Sequence, residues 1–189
     1  MSVSKSKFTV KRITLNAMLI AMYLVLSYMK LTMGGLQITF AFLPVIICAL
    51  AFGPVDGLIV GFLAEFLSQI LGPYGMTPTT LLWVAPVAVR GLLVGLFAML
   101  VLRSTDIEAY VSDRRHLAVL LAAIVGTGIL GSIMNTGVLY VDSKMFGYYS
   151  YAMVFGVFWI RIVSGVISHI AMTLVAVPVT VALRKSKLI

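Results

Sequence analysis

The sequence predicts an all-α integral membrane protein: one transmembrane domain over residues 1–189, a six-helix bundle whose second and third helices are short or broken. Three observations predict it. The 189 residues are 61% hydrophobic and only 11% charged, with a mean hydropathy of +1.11, too little charge to cover a water-facing surface. The apolar residues fall into six runs separated by polar or Gly/Pro-rich breaks. The fourteen Lys/Arg, against six Asp/Glu, cluster at the ends of those runs. That distribution argues for membrane orientation and against a nucleic-acid partner.

The first run, residues 13–33, follows Lys5, Lys7, Lys11 and Arg12. Its basic flank resembles the start of a secretory signal. The run nevertheless has the length of a full span and no Ala-x-Ala cleavage site, so it reads as an uncleaved first transmembrane helix. The segment Leu36-Gln37-Ile38-Thr39-Phe40 alternates apolar and polar. It is expected to be extended, lying over a pocket mouth with Gln37 at hand. The second and third runs, 40–52 and 57–71, fall short of the ~20 residues that cross a bilayer. Pro44 and Gly53-Pro54 mark a broken helix and a turn. Short membrane helices are tolerated where their backbone is buried in protein or lines a cavity. The fourth and fifth runs are 81–102 and 117–138. The sixth, 153–183, is over-long and is expected to tilt, kink near Pro178 or project from the membrane. Cys48 stands alone in an apolar run; it offers neither a disulfide nor a metal spacing and reads as a small core residue.

With the N-terminus inside, the cytoplasmic segments carry Lys5, Lys7, Lys11, Arg12, Arg103, Arg114, Arg115, Arg184, Lys185 and Lys187, and the outer segments only Lys30 and Lys144. This asymmetry places both termini in the cytoplasm of a bacterial cell membrane. The outer loops are then 34–39, 72–80 and 139–152. Tyr28, Tyr74, Tyr140, Tyr148, Tyr149 and Tyr151 fall in or beside them, either as an interfacial aromatic belt or, for some, Tyr74 included, as stacking surfaces for a flat ligand.

Three ionisable residues interrupt the apolar runs: Glu65, Arg90 and Arg161. A charge at membrane depth costs roughly 2.5–3.5 kcal/mol on insertion scales, and such residues usually face a protein interior or wet cavity. At ~1.5 Å of rise per residue, Arg90 lies about 14 Å, Arg161 about 12 Å and Glu65 about 10 Å below the outer helix ends. Trp83 precedes Arg90 by seven residues and shares its face. Ser164 and Ser168 follow Arg161, and Ser68 and Gln69 follow Glu65, at helical spacing, and Asn135 can complete the set from the fifth helix. One reading is an internal ion pair of Glu65 with Arg90 or Arg161. One carboxylate cannot satisfy two guanidiniums, however, and a buried unpaired charge is costly. A ligand carboxylate, or a flat heterocycle offering acceptors, would complete the account, because the planar guanidinium binds such groups bidentately. His169, two turns beyond Arg161, reads either as a satisfied interior histidine or as a proton relay or ligand contact. The expected substrate contacts are therefore Arg90, Arg161, Glu65, Trp83, Asn135, Gln69, Gln37 and Tyr74.

Small residues recur at four-residue spacing in Ala17-x-x-x-Ala21, Gly57-x-x-x-Gly61 and Gly91-x-x-x-Gly95, which lets helix backbones approach closely. The glycine pairs suit packing within the bundle; the alanines serve either the bundle or a partner subunit. The sequence has no phosphate-binding Gly-x-x-x-x-Gly-Lys-[Ser/Thr] loop, no His-Glu-x-x-His and no Gly-x-Ser-x-Gly. No enzyme activity and no cofactor are expected.

This pattern resembles the substrate-binding S components of energy-coupling factor (ECF) vitamin transporters. Ala17 and Ala21 match the Ala-x-x-x-Ala motif of that family's first helix. The run from Leu36 to Pro44, followed by Phe52-Gly53-Pro54 and Gly57-x-x-x-Gly61, is similar to the folate-type branch, in which an arginine at the position of Arg161 also recurs. The second outer loop departs from that branch: it reads Gly72-Pro-Tyr-Gly-Met-Thr-Pro-Thr-Thr80 where Phe-Pro-Gly-Phe-Thr is usual. The resemblance implies a six-helix subunit that captures a water-soluble vitamin from outside and docks through Ala17 and Ala21. Its partners would be a transmembrane T component and two ATPase subunits, which hydrolyse the ATP. Folate is the leading substrate; pantothenate, a pyridoxine- or pyrimidine-type vitamin, or a stand-alone proton-coupled secondary transporter using Glu65 are the alternatives.

Overall fold

A computed structural model describes residues 9–33, 36–73, 75–102 and 114–186, with the side chains of 30–38, 101–102 and 114–116 left outside the description. Among the described residues the regular elements are helices apart from one antiparallel strand pair. In order run α1 (Val10–Tyr28), β1 (Lys30–Met33), β2 (Leu36–Thr39), α2 (Leu43–Phe52), α3 (Pro54–Leu71), α4 (Thr80–Leu102), α5 (Arg114–Met145), a π-helical turn (Ala152–Gly156) and α6 (Phe158–Lys185). Among the described residues, five spans are long and apolar enough to cross a membrane, and α2 is a shorter apolar helix.

The boundaries differ from the sequence reading in four instructive places. The first helix stops at Tyr28, not at 33, because residues 30–33 pair antiparallel with 36–39, Met33 opposite Leu36. Continuous hydropathy hides that switch, although two glycines between two β-compatible runs are a hairpin signal. The segment 36–39 is extended, as its alternation predicts. The third helix is longer than expected. Pro54 occupies its first turn after Gly53 turns the chain at φ 99°, so the proline starts the helix instead of breaking it. The fifth helix continues to Met145 through polar Asp142 and Ser143, which are buried. The sixth run divides at Val157 into the π-turn and α6, and α6 passes through Pro178 without ending.

The shortest helix is the centre of the core. In α2, Val45, Ile46, Cys48 and Ala49 are all at most 1% exposed, and the helix packs on α1, α3, α4 and α6. A helix apolar all round belongs inside, and protein on every side removes any need to span lipid. Around it, α3 packs most extensively on α4. Here the glycine pairs act within the bundle: a Cβ on Gly57 would lie 2.5 Å from the Gly91 carbonyl oxygen, and one on Gly61 would lie 3.0 Å from that of Val87.

Helix α1 is tied to α3 by polar pins. At one end Arg12 pairs with the fully buried Asp56, its Nε donating to Oδ1 at 2.9 Å, and Asn16 donates to the same oxygen at 2.8 Å. The Cys48 thiol donates to Asn16 at 3.5 Å. Further along, the Tyr23 hydroxyl donates to Glu65, Ser68 to Ser27 at 3.3 Å, and Tyr28 to the Leu71 carbonyl at 3.0 Å. The opposite face of α1, with Ala17, Met18, Ala21, Met22 and Val25, is exposed.

Candidate ligand cavity

Helices α4, α5 and α6 and the end of the hairpin line a partly open cavity of about 490 Å³, within the range of small-molecule sites. Trp83 and Arg90 reach it from α4, Ser132 and Asn135 from α5, and Arg161, Ser164, Ser168 and His169 from α6, while Thr39 and Phe42 close one side. Four of the residues expected to bind substrate, Arg90, Arg161, Trp83 and Asn135, thus share one wall system. The serine stripe after Arg161 belongs to it, with both serines buried.

Glu65 and Gln69 do not line this cavity. Glu65 accepts hydrogen bonds from Tyr23 and from Gln69, whose Nε2 lies at 2.6 Å. It is beyond ion-pair distance of Arg90 and Arg161, so the internal pair considered from sequence does not form. The cause is facial: Glu65 points from α3 toward α1, where a buried tyrosine supplies the proton donor. The Gln37 side chain and the whole of Tyr74 lie outside the described residues, as do Lys5, Lys7, Arg103 and Lys187 among the basic residues used for orientation.

Each arginine is seated by a specific feature. The Arg90 guanidinium lies 4.1 Å over the Phe42 ring. It fits because position 131 is glycine: a Cβ there would lie 2.6 Å from Arg90 Nη1. Its Nε is buried without a hydrogen-bond partner. Arg161 reaches back to the π-turn, donating to the carbonyls of Met153 at 2.9 Å and Val154 at 3.2 Å. These carbonyls belong to the irregular backbone before α6, and the guanidinium satisfies groups a regular helix would have paired internally.

The Trp83 indole N–H points to Asp142 at 3.4 Å, and Asp142 also accepts from Thr79 and Tyr148. This carboxylate therefore joins the start of α4, the last turns of α5 and the segment after it. Sequence reasoning placed Asp142 in a loop because hydropathy falls there. The buried Tyr23 and Phe42 were also missed, as were Gly128 and Gly131. The glycines' three-residue spacing on the fifth run was the available signal. Trp159 is 72% exposed and does not line the cavity. Among the described outer tyrosines, none lines the cavity. Tyr140 and Tyr149 instead meet edge to face, with the Lys144 ammonium 4.1 Å from the Tyr149 ring, as an interfacial cluster does.

The sequence matches the family model described as "ECF transporter, substrate-specific component" over residues 11–183. Among solved structures, the chain is similar to ThiT from Listeria monocytogenes, with 21% identity, coverage of 94% of this chain and 96% of that one, and a TM-score of 0.55. It is also similar to the S component for biotin from an ECF-type ABC transporter, with 14% identity, coverage of 93% and 92%, and a TM-score of 0.59. At such identities the likeness is one of fold. No curated protein matches the sequence.

Proposed function

The chain belongs to the family of ECF transporter substrate-specific components, membrane proteins that bind substrate and are not enzymes, and from that premise we propose that it captures an acidic, flat-ringed vitamin, folate first, in the α4–α6 cavity. The observation that carries the reading is the convergence of Arg90 and Arg161 on one cavity also lined by Trp83 and Asn135. Two guanidiniums, neither of them ion-paired and Arg90 feeling Glu65 only at longer range, suit an anionic ligand, and the indole suits a ring. Glu65, hydrogen-bonded to Tyr23 and Gln69, stands outside the cavity wall.

The rest of the cycle belongs to partners. Ala17 and Ala21 lie on the exposed, apolar face of α1, the surface on which a transmembrane T component would dock by close helix approach. Two ATPase subunits supply the energy, in keeping with a sequence that has no phosphate loop. Both termini face the cytoplasm, following the basic residues. Calorimetry of the purified chain against folate, pantothenate and pyridoxine tests the substrate. Folate should bind tightest; tight binding of neutral pyridoxine with no response to folate would sink the two-arginine argument.

A further inference from the structure

Two buried side-chain atoms lack a partner among the described residues: Arg90 Nε and His169 Nε2. They have opposite hydrogen-bonding sense. A guanidinium nitrogen only donates. At His169, Nδ1 lies 2.7 Å from the Gly165 carbonyl. A carbonyl only accepts, so the proton sits on Nδ1, and in the neutral imidazole Nε2 is an acceptor. His169 is 4% exposed, and both residues line the same cavity.

The backbone of α5 sets the two side by side. A Cβ on Gly128 would lie 2.6 Å from His169 Nδ1, and one on Gly131 would lie 2.6 Å from Arg90 Nη1. The imidazole and the guanidinium thus rest on glycines three residues apart on one helix face, about 4.5 Å along its axis. Both also flank Phe42, with centroid distances of 5.6 Å for the imidazole and 4.1 Å for the guanidinium carbon.

Resting on the reading of this cavity as the substrate site, we propose that Arg90 and His169 form an adjacent donor–acceptor pair that selects a substrate with an amide-type edge, an N–H beside a C=O, as in a ring lactam. After a shift of the side chains that shield both atoms, the carbonyl oxygen takes an Arg90 proton and the N–H donates to His169 Nε2. A carboxylate at this point would satisfy Arg90 but set a lone pair against that of His169. An acidic tail is therefore better placed toward Arg161, and the two arginines read different parts of one molecule. Rejection follows from the same geometry, because a ligand without the edge leaves buried polar atoms unpaired.

The test is calorimetry of the purified full chain with folate and with its 4-amino-4-deoxy analogue. The two share size and carboxylates but have an inverted ring edge, an amino donor replacing the carbonyl and a bare ring nitrogen replacing the N–H. The analogue should bind at least ~100-fold more weakly. In His169→Phe that discrimination should collapse, and His169→Gln, which keeps an acceptor, should restore part of it. Equal affinity of the two probes in the wild-type chain overturns the inference while leaving the folate assignment standing. If folate does not bind, the folate assignment fails, and small molecules retained through purification are identified by mass spectrometry for the wild-type and His169→Phe chains. A molecule with a donor-beside-acceptor edge, held by the wild type and lost by the variant, supports the pair. A molecule without that edge, equal retention, or nothing retained by either chain overturns it.

Discussion

The Arg90 guanidinium lies 4.1 Å over the ring of Phe42, so the cavity's buried cation is held by an aromatic face and not by a carboxylate. Such contacts contribute about 0.5–2 kcal/mol, enough to orient the side chain while its charge remains available. Glu65 acts on it electrostatically without closing to an ion pair. The geometry thus keeps a preorganised positive site at membrane depth.

Arg90→Ala should therefore weaken ligand binding by roughly 2–5 kcal/mol, the range for loss of one partner of a desolvated charge contact. Arg90→Lys should recover only part, because the planar fork is lost. Calorimetry reads the affinity, and a thermal melt shows that the variant is folded. Normal binding by the alanine variant would remove Arg90 from the site.

Arg161→Ala should weaken binding and also lower stability. Its guanidinium satisfies the part-buried Met153 and Val154 carbonyls, and leaving them unpaired costs up to about 1–3 kcal/mol, the figure for fully buried groups. A lower melting temperature accompanied by weaker binding is expected; unchanged stability would mean that the π-turn does not depend on this arginine.

Asp56→Asn should destabilise the chain by about 3–5 kcal/mol, because it strands the Arg12 charge against a fully buried partner position. Ligand affinity in the surviving folded fraction should change little, since Asp56 does not line the cavity. A denaturation series in detergent measures the first quantity. Stability equal to wild type would show that the pin is dispensable.

Ala17→Trp or Ala21→Trp should leave binding intact and abolish uptake in the presence of the energising module. Both alanines are exposed on α1, so a bulky side chain meets no neighbour within the chain but blocks close approach of a partner helix. Uptake that persists would move the docking face elsewhere.

Much of this architecture was legible because hydropathy and helical rise are local quantities. Six apolar runs gave the helices, alternation at 36–39 gave the extended segment, and depth counting brought Arg90 and Arg161 to one level. Facing was harder. Glu65 shares that level but turns toward Tyr23 on α1, a choice made by which helices are neighbours. Trp159, two residues before Arg161, is about 200° away around the helix and so points outward. Helix ends were misjudged wherever polar residues found buried partners, as Asp142 does with Thr79 and Tyr148. A proline that starts a helix, as Pro54 does, looks like a break until the preceding glycine's backbone is known.

Uptake into proteoliposomes of the vitamin that calorimetry identifies, with the chain reconstituted alone and together with a T component and its two ATPases, separates module-driven from self-sufficient transport. The chain alone should bind substrate, and accumulation should appear only when the module and ATP are both present. Accumulation by the chain alone, driven by a proton gradient, would contradict this and favour a secondary transporter.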